Sequence, residues 1–111
     1  MSLKSDTARL EQILEYIEDI TKIVFRHENI VRTLEDLEGQ YAVMLCLSQI
    51  GELLGKIETT DFIDKLPVRV AAGLRNIINH DYDGVDLTIV ENTVTHDIPE
   101  LKNTIVTLLQ D

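Results

Sequence analysis

The chain has 111 residues, enough for one domain and too few for two. With 44% hydrophobic and 27% charged residues, its composition is typical of a folded domain and excludes a disordered chain. Its formal net charge of −10 makes it a poor general binder of nucleic-acid backbones, because affinity for phosphates comes mostly from Lys and Arg.

The first predicted element is a long amphipathic helix. The opening sequence, MSLKSDTARL, contains no apolar signal segment, and no run approaches the roughly 20 apolar residues of a membrane span. We therefore expect a cytoplasmic protein with no membrane contact. Ser5 or Asp6 is expected to cap the helix. Apolar residues then follow at steps of three and four: Leu10, Ile13, Leu14, Ile17, Ile20, Val24 and Phe25.

A second helix is predicted from about Glu35 to Ile57, after a break in the pattern at HENIVRT. Its apolar stripe is wide, which favours a central, buried position. Gly51 and Gly55 are expected to let another backbone approach closely. The single cysteine, Cys46, is expected to be a small core residue. Since the chain has no second cysteine, Cys46 can form neither an internal disulfide nor a cysteine metal site.

Two more helices are predicted after a loop. The sequence ETTDFIDKLP is interpreted as that loop. Pro67 suits the first turn of a third helix, 67–80, because proline is tolerated where the backbone N–H has no partner within the helix. Asp86 is then predicted to cap a short helix over 87–95.

The last predicted helix begins at Asp97, with Pro99 in its first turn, and a break between His96 and Asp97 separates it from the short helix. Strand patterns are weak throughout the sequence. The whole chain, residues 1–111, is therefore predicted to be a single all-α domain. The expected architecture is an antiparallel up-and-down bundle of four to five helices.

The third helix ends in the sequence LRNIINHDYDGVD, which concentrates groups suited to phosphate chemistry. Asn76 and His80 are four residues apart and share a face, and Arg75 is long enough to reach the same point. Histidine is the usual general acid or base near neutral pH, and arginine stabilises phosphate charge. A purely structural role is the alternative, in which Arg75 and His80 only stabilise the helix C-terminus.

Metal-free cleavage of RNA needs a base for the ribose 2′-hydroxyl, a cation for the crowded phosphorane and an acid for the leaving oxygen. One pair of Arg75 and His80 supplies half of that set. Two copies across a two-fold interface would supply the rest, because such an interface juxtaposes identical patches. No pattern calls for a cofactor, and His27 and His96 are isolated, which favours surface or capping roles over metal binding.

A longer stretch, LPVRVAAGLRNIINHDYDGVDLTIVENTVTHDIPELKNTI, resembles the HepT family of the HEPN superfamily. It carries the pattern R-x-x-x-x-H-x-Y, followed by GVD and DIPEL. Upstream, AVMLCLSQIGELLGKI resembles the family's second helix, so the likeness covers roughly residues 10–109. Two positions depart from the family pattern. Val68 stands where a tryptophan is frequent, and Asn79 stands where an aliphatic residue usually precedes the histidine.

The resemblance implies a HEPN-like helical fold and a metal-independent endoribonuclease toxin that acts on RNA as a homodimer. Arg75 and His80 would be its catalytic pair, with Asn76 supporting them. Tyr82 would be the residue that a cognate minimal nucleotidyltransferase antitoxin modifies with AMP, adding bulky negative charge beside His80. The alternative function is a non-catalytic helical partner of a nucleotidyltransferase, serving as a nucleotide- or substrate-binding accessory subunit.

Overall fold

The computed structural model describes residues 3–79 and 86–110, and these residues confirm the prediction of an all-α bundle. No strand occurs within the two described ranges. None of the helices in these ranges is both long and apolar enough to cross a membrane. The elements in chain order are α1 (Leu3–Arg26), α2 (Ile30–Glu35), α3 (Leu37–Gly55), α4 (Thr60–Lys65), α5 (Val68–Asn79), α6 (Leu87–Asn92), a π-helix (Thr93–Asp97) and α7 (Ile98–Gln110).

Helices α1 and α3 are antiparallel and form the centre of the bundle. Asp6, near the start of α1, contacts Thr59, just beyond the end of α3. At the other end, His27 follows α1 and lies against Asp36 and Gly39 at the start of α3. The two helices bury a shared set of apolar side chains: Leu10, Ile13, Ile17 and Ile20 from α1, and Val43, Cys46, Leu47 and Ile50 from α3.

Helix α3 packs against α1, α2 and α5, which confirms its predicted central position. Its predicted burial is wrong on the opposite side, where Leu37, Tyr41 and Leu45 are exposed. Cys46 is buried on it as expected, and this burial raises the pKa of the thiol. The expectation of a close approach is wrong for Gly55, where an added Cβ would meet no atom within 4 Å. For Gly51 the expectation stays a prediction. A close approach does occur at Gly39, where a Cβ would lie 2.5 Å from the backbone oxygen of Thr33. The end of α2 therefore crosses α3 where only glycine fits.

Two segments that the sequence pattern left irregular contain short helices. The break at HENIVRT includes the start of α2, where the side chain of Asn29 accepts a hydrogen bond of 2.8 Å from the backbone N–H of Arg32. The predicted loop ETTDFIDKLP contains α4. Each of these helices has six residues. Less than two turns is too short for an apolar periodicity to stand out, which is why the pattern misses them.

The C-terminal arm runs from α6 through the π-helix into α7 without interruption, so the predicted split between His96 and Asp97 is wrong. The backbone N–H that follows the π-helix donates to the carbonyl of Thr93, five residues earlier, which is the wide turn of a π-helix. The predicted cap at Asp86 is confirmed, because its carboxylate accepts from the backbone N–H of Thr88 at 2.9 Å.

Asp6 ties the start of α1 to the junction between α3 and α4. Its predicted role as an N-cap, shared with Ser5, is wrong because α1 begins earlier and the Asp6 side chain is 1% exposed. The carboxylate accepts hydrogen bonds from the backbone N–H groups of Glu58 and Thr59 at 3.0 and 2.7 Å, and from Arg9 at 2.7 Å. A further hydrogen bond from the Thr59 hydroxyl is the main reason that the pKa of Asp6 falls to about 2.

Substitution of Asp6 tests this link. Its pKa is below its ordinary value of 3.8, so the carboxylate stabilises the fold fully above pH 4, and this stabilisation is lost as the pH falls towards 2. We expect Asp6→Asn to lower the free energy of unfolding by about 1–3 kcal/mol at pH 7. The difference in the free energy of unfolding between this variant and the wild type, measured by urea unfolding, should become smaller between pH 4 and pH 2. Asp19→Asn, on the exposed face of α1, is the control, and a gap independent of pH would contradict the assignment.

Candidate functional site

Helix α5 divides clearly into a buried face and an exposed face. Val70, Leu74 and Ile77 are buried in the core, whereas Arg75 and Asn76 are exposed. The buried residues are separated by steps of four and three, so one side of the helix faces the core. The structure thus places two of the predicted site residues side by side on the outer surface of α5.

Arg75 is a cation that no described carboxylate neutralises. The ion pairs among the described residues involve other side chains, although the chain as a whole is strongly acidic. A guanidinium without an ion partner keeps its N–H donors available for an anion such as phosphate. The exposed amide of Asn76 adds a group that can donate or accept a hydrogen bond beside it.

The second arginine of α5, Arg69, forms ion pairs with the C-terminal arm. Its guanidinium lies 2.5 Å from Asp97, the last residue of the π-helix, and 3.1 Å from Glu100. Asp97 is 6% exposed, and its hydrogen bond and charge raise the pKa of Arg69. A cation held between two carboxylates has little net attraction for phosphate. Arg69 therefore positions the helix, and Arg75 is the arginine of α5 that remains available to a ligand.

The contact with Asp97 also fixes the direction of α5. Arg69 lies in the first turn of α5 and meets the middle of the C-terminal arm, and an added Cβ on Gly73 would lie 3.9 Å from Asp97. Eight residue steps separate the end of α5 from Leu87 and span at most about 29 Å. Helix α5 must therefore run towards the end of the arm where α6 begins. Since α6 contacts α2, Arg75 lies towards the end of the bundle where α3 starts.

The other two predicted site residues, His80 and Tyr82, lie outside the described residues, so their roles stay predictions.

His27 is a bridging residue: its Nδ1 lies 2.8 Å from the carbonyl of Ile23 and its Nε2 lies 3.2 Å from Asp36. These two contacts raise its pKa. Within residues 3–79 and 86–110, no three His, Cys, Asp or Glu side chains group together as a metal site.

A cavity of about 300 Å³ lies at the opposite end of the bundle, between the start of α1, α4 and the end of α7. Phe62 and Leu108 are among its lining residues, and none of the lining residues belongs to α5. Arg75 and Asn76 thus stand outside this cavity, on an open face of α5.

The sequence pattern predicts a helix start at Asp97 and does not reveal its contact with Arg69. The spacing of the residues that follow Asp97 does indicate that its side chain needs a buried partner. Asp97 is in phase with the buried residues Leu101, Ile105 and Leu108, at steps of four, four and three. A carboxylate on the apolar face of a helix needs a partner, and an arginine is the usual one.

The comparison with known families identifies the chain. The family model described as ribonuclease HepT-like matches residues 13–108, which include α5 and most of the bundle. The chain belongs to the HepT-like ribonuclease family. The resemblance seen in the sequence is therefore confirmed, and α5 is the helix of this HepT-like chain on which Arg75 and Asn76 lie.

Several relatives match most of the HepT-like chain. Two proteins of Methanocaldococcus jannaschii, both named as candidate RNases, are 32% and 31% identical to it over 106 residues. These matches cover 94% of the chain and 87% and 90% of the two relatives. A protein of Thermococcus cleftensis named "Probable ribonuclease HepT" is 35% identical over 97 residues, which are 79% of the chain and 87% of that protein. No solved structure gave a significant match.

Removal of Asp97 tests its role as the anchor of α5. Asp97→Ala deletes a nearly buried carboxylate and leaves Arg69 with the exposed Glu100 alone. We expect its Tm to fall by about 5 °C, a typical effect of losing about 1 kcal/mol in a domain of this size. Glu100→Ala removes only an exposed ion pair, and its Tm should change by less than about 2 °C. Equal shifts for the two variants in thermal melts would contradict the anchoring role.

Proposed function

We propose that this chain is a HepT-like toxin that cleaves RNA without a metal ion. Arg75 and His80 of two copies would form a composite site in a shared cleft, with Asn76 supporting them. Membership of the HepT-like family and the RNase names of its relatives support this function. One structural observation supports the proposed role of Arg75. Of the two arginines on α5, Arg69 is neutralised, whereas Arg75 has no ion partner among the described residues.

The proposed reaction is an internal displacement within RNA. His80 of one copy accepts the proton of a ribose 2′-hydroxyl, and the 2′-oxygen forms a bond to the adjacent phosphorus. Arg75 stabilises the extra negative charge of the phosphorane with its planar fork of donors. The bond from phosphorus to the 5′-oxygen then breaks, and a protonated His80 of the other copy supplies the proton that this oxygen needs. The products are a 2′,3′-cyclic phosphate and a 5′-hydroxyl.

The composite arrangement also accounts for the open position of Arg75. A single copy presents Arg75 on the surface of α5, outside the described cavity. Water would screen an isolated arginine there and weaken its interaction with the phosphorane. A second copy placed over α5 would enclose the site and exclude water from it. The same contact would bring in the second His80 as the proton donor.

Silencing would occur at Tyr82. An antitoxin of the nucleotidyltransferase class would transfer AMP from ATP to the Tyr82 hydroxyl, releasing pyrophosphate. The added phosphate carries negative charge two residues from His80 and would repel RNA as well as block the cleft. A chain with a net charge of −10 offers few cations to offset it, so one AMP group would change the local potential strongly.

Cleavage of labelled RNA in EDTA tests the ribonuclease proposal. The wild type should produce fragments with 2′,3′-cyclic phosphate ends, and both His80→Ala and Arg75→Ala should lose at least about 100-fold in rate. Arg32→Ala is the matched control, because Arg32 is an exposed arginine on α2, paired with Glu28. Full activity of His80→Ala would contradict the catalytic assignment. Inactivity of a folded wild type would instead favour the non-catalytic partner of a nucleotidyltransferase.

Modification of Tyr82 is a separate test. After incubation with the cognate nucleotidyltransferase and ATP, mass spectrometry should find AMP on the peptide that contains Tyr82, and RNA cleavage should stop. Tyr82→Phe should still cleave RNA and should stay active in the same mixture, because it lacks the acceptor hydroxyl. The exposed Tyr41 is the internal control and should stay unmodified. A silenced Tyr82→Phe would show that the antitoxin acts by another route.

A further inference from the structure

His27, the first residue after α1, joins the end of that helix to the start of α3. Its backbone N–H donates to the carbonyl of Val24, so the carbonyl of Ile23, which a continued α-helix would have used, is available to the ring. Nδ1 lies 2.8 Å from this carbonyl oxygen, and Nε2 lies 3.2 Å from Oδ2 of Asp36, the N-cap of α3. The two ring nitrogens therefore contact two different helix ends.

The local backbone keeps the ring in this position. Glu28, the next residue, has a φ of 77°, a left-handed conformation that residues with a side chain rarely adopt. This turn ends α1 and directs the chain into α2. On the side of α3, a Cβ added to Gly39 would lie 3.2 Å from Cε1 of His27. Glycine at position 39 thus leaves the space that the ring occupies.

Both partners of the ring accept hydrogen bonds and donate none. A neutral imidazole has a single N–H, so it can donate to the carbonyl of Ile23 or to the carboxylate of Asp36, and it turns a lone pair towards the other. The imidazolium has two N–H groups and can donate to both at the same time. The geometry around His27 is therefore that of a protonated histidine.

The groups that contact the ring act in the same direction. The hydrogen bond to Ile23 is the main reason that the pKa of His27 lies above its ordinary value of 6.5, and the hydrogen bond and charge of Asp36 raise it further. Desolvation and the positive charge of Arg26 oppose this rise without cancelling it. Asp36 in turn has a lowered pKa, mainly because it accepts from the backbone N–H of Gly39.

The other charged groups around His27 do not take the place of Asp36. Glu28 forms an ion pair of 3.2 Å with Arg32 of α2, so these two charges offset one another. Glu35, at the end of α2, and Glu38, in the first turn of α3, are exposed, and water screens their charges.

We propose that His27 is a pH-sensitive clamp at the end of the bundle where α3 starts. Protonated, it holds the end of α1 to the start of α3, and α2 lies in the chain between these two points. Neutral, it keeps only one of the two contacts. Helix α2 packs against α3 and α6, and α6 follows the segment that contains His80 and Tyr82. The clamp therefore acts on the helices that adjoin the candidate site.

The sign of the pH dependence follows from the raised pKa. A histidine whose pKa is higher in the folded chain than in the unfolded chain stabilises the fold fully below the unfolded value of 6.5. This stabilisation is lost as the pH rises through the raised pKa of the folded chain. The clamp is thus closed in mildly acidic solution and opens on the alkaline side.

An NMR titration of the full chain, followed at the Cε1 proton of His27, tests the contact with Asp36. The wild type should titrate above pH 6.5. Asp36→Asn should lower the pKa of His27, because asparagine caps a helix as well as aspartate but carries no charge. Glu38→Gln removes an exposed carboxylate two residues away and is the matched control, with a smaller shift. A wild-type His27 that titrates at or below 6.5, or equal shifts in the two variants, would overturn the proposal.

Urea unfolding between pH 5.5 and pH 9 tests the stabilisation. The free energy of unfolding of the wild type should exceed that of His27→Gln at pH 5.5, and this difference should shrink as the pH rises to 9, because glutamine does not titrate. His96→Gln, at an exposed histidine of the π-helix, should keep the pH dependence of the wild type. A difference between the wild type and His27→Gln that is the same at every pH would contradict the clamp.

Hydrogen exchange at pH 6 shows where the clamp acts. In His27→Gln the amides of α2 should lose at least about 3-fold of their protection relative to the wild type, and the amides of α7 should lose less. Equal losses in both helices would show that His27 adds only to global stability, and would overturn the local clamp. None of these measurements uses RNA, so their outcome is independent of the ribonuclease proposal.

Discussion

The packing of α3 constrains the rest of the structure, because α1, α2 and α5 all pack against its buried side. This constraint explains why its buried residues recur every three or four positions and why Gly39 stands where the end of α2 crosses. It also decides which side of α5 is exposed. With α5 packed between α3 and the C-terminal arm, the side of α5 that carries Arg75 and Asn76 faces outwards.

The sequence predicts those parts of the fold that depend on local periodicity. Long helices and their apolar faces can be read from the spacing of residues, as for α1, α3 and α5. The two aspartates that link distant elements cannot, because their partners are far away in sequence: Asp6 binds Thr59, and Asp97 binds Arg69. Spacing shows only that each aspartate is in phase with buried apolar residues, and the fold has to supply the partner.

The same limit applies to the candidate site. The sequence places Arg69 and Arg75 on one helix, but it does not show which of them is neutralised. That difference depends on the packing of the C-terminal arm against α5, which brings Asp97 and Glu100 to Arg69. Because the chain has a net charge of −10, binding of RNA would depend on a small number of local phosphate contacts.

The π-helix accommodates an extra residue in the C-terminal arm. Its wide turn at Thr93–Asp97 holds one more residue than an α-helical turn would, so α6 and α7 are each in phase with the core on their own side of it. Deletion of a single residue there would convert the wide turn into an ordinary α-helical turn, and Val90 and Asp97 would keep their buried positions. In a regular α-helix the same deletion would rotate the two sides against one another by about 100°. We therefore expect relatives to differ in length by one residue at this turn more readily than within α6 or α7.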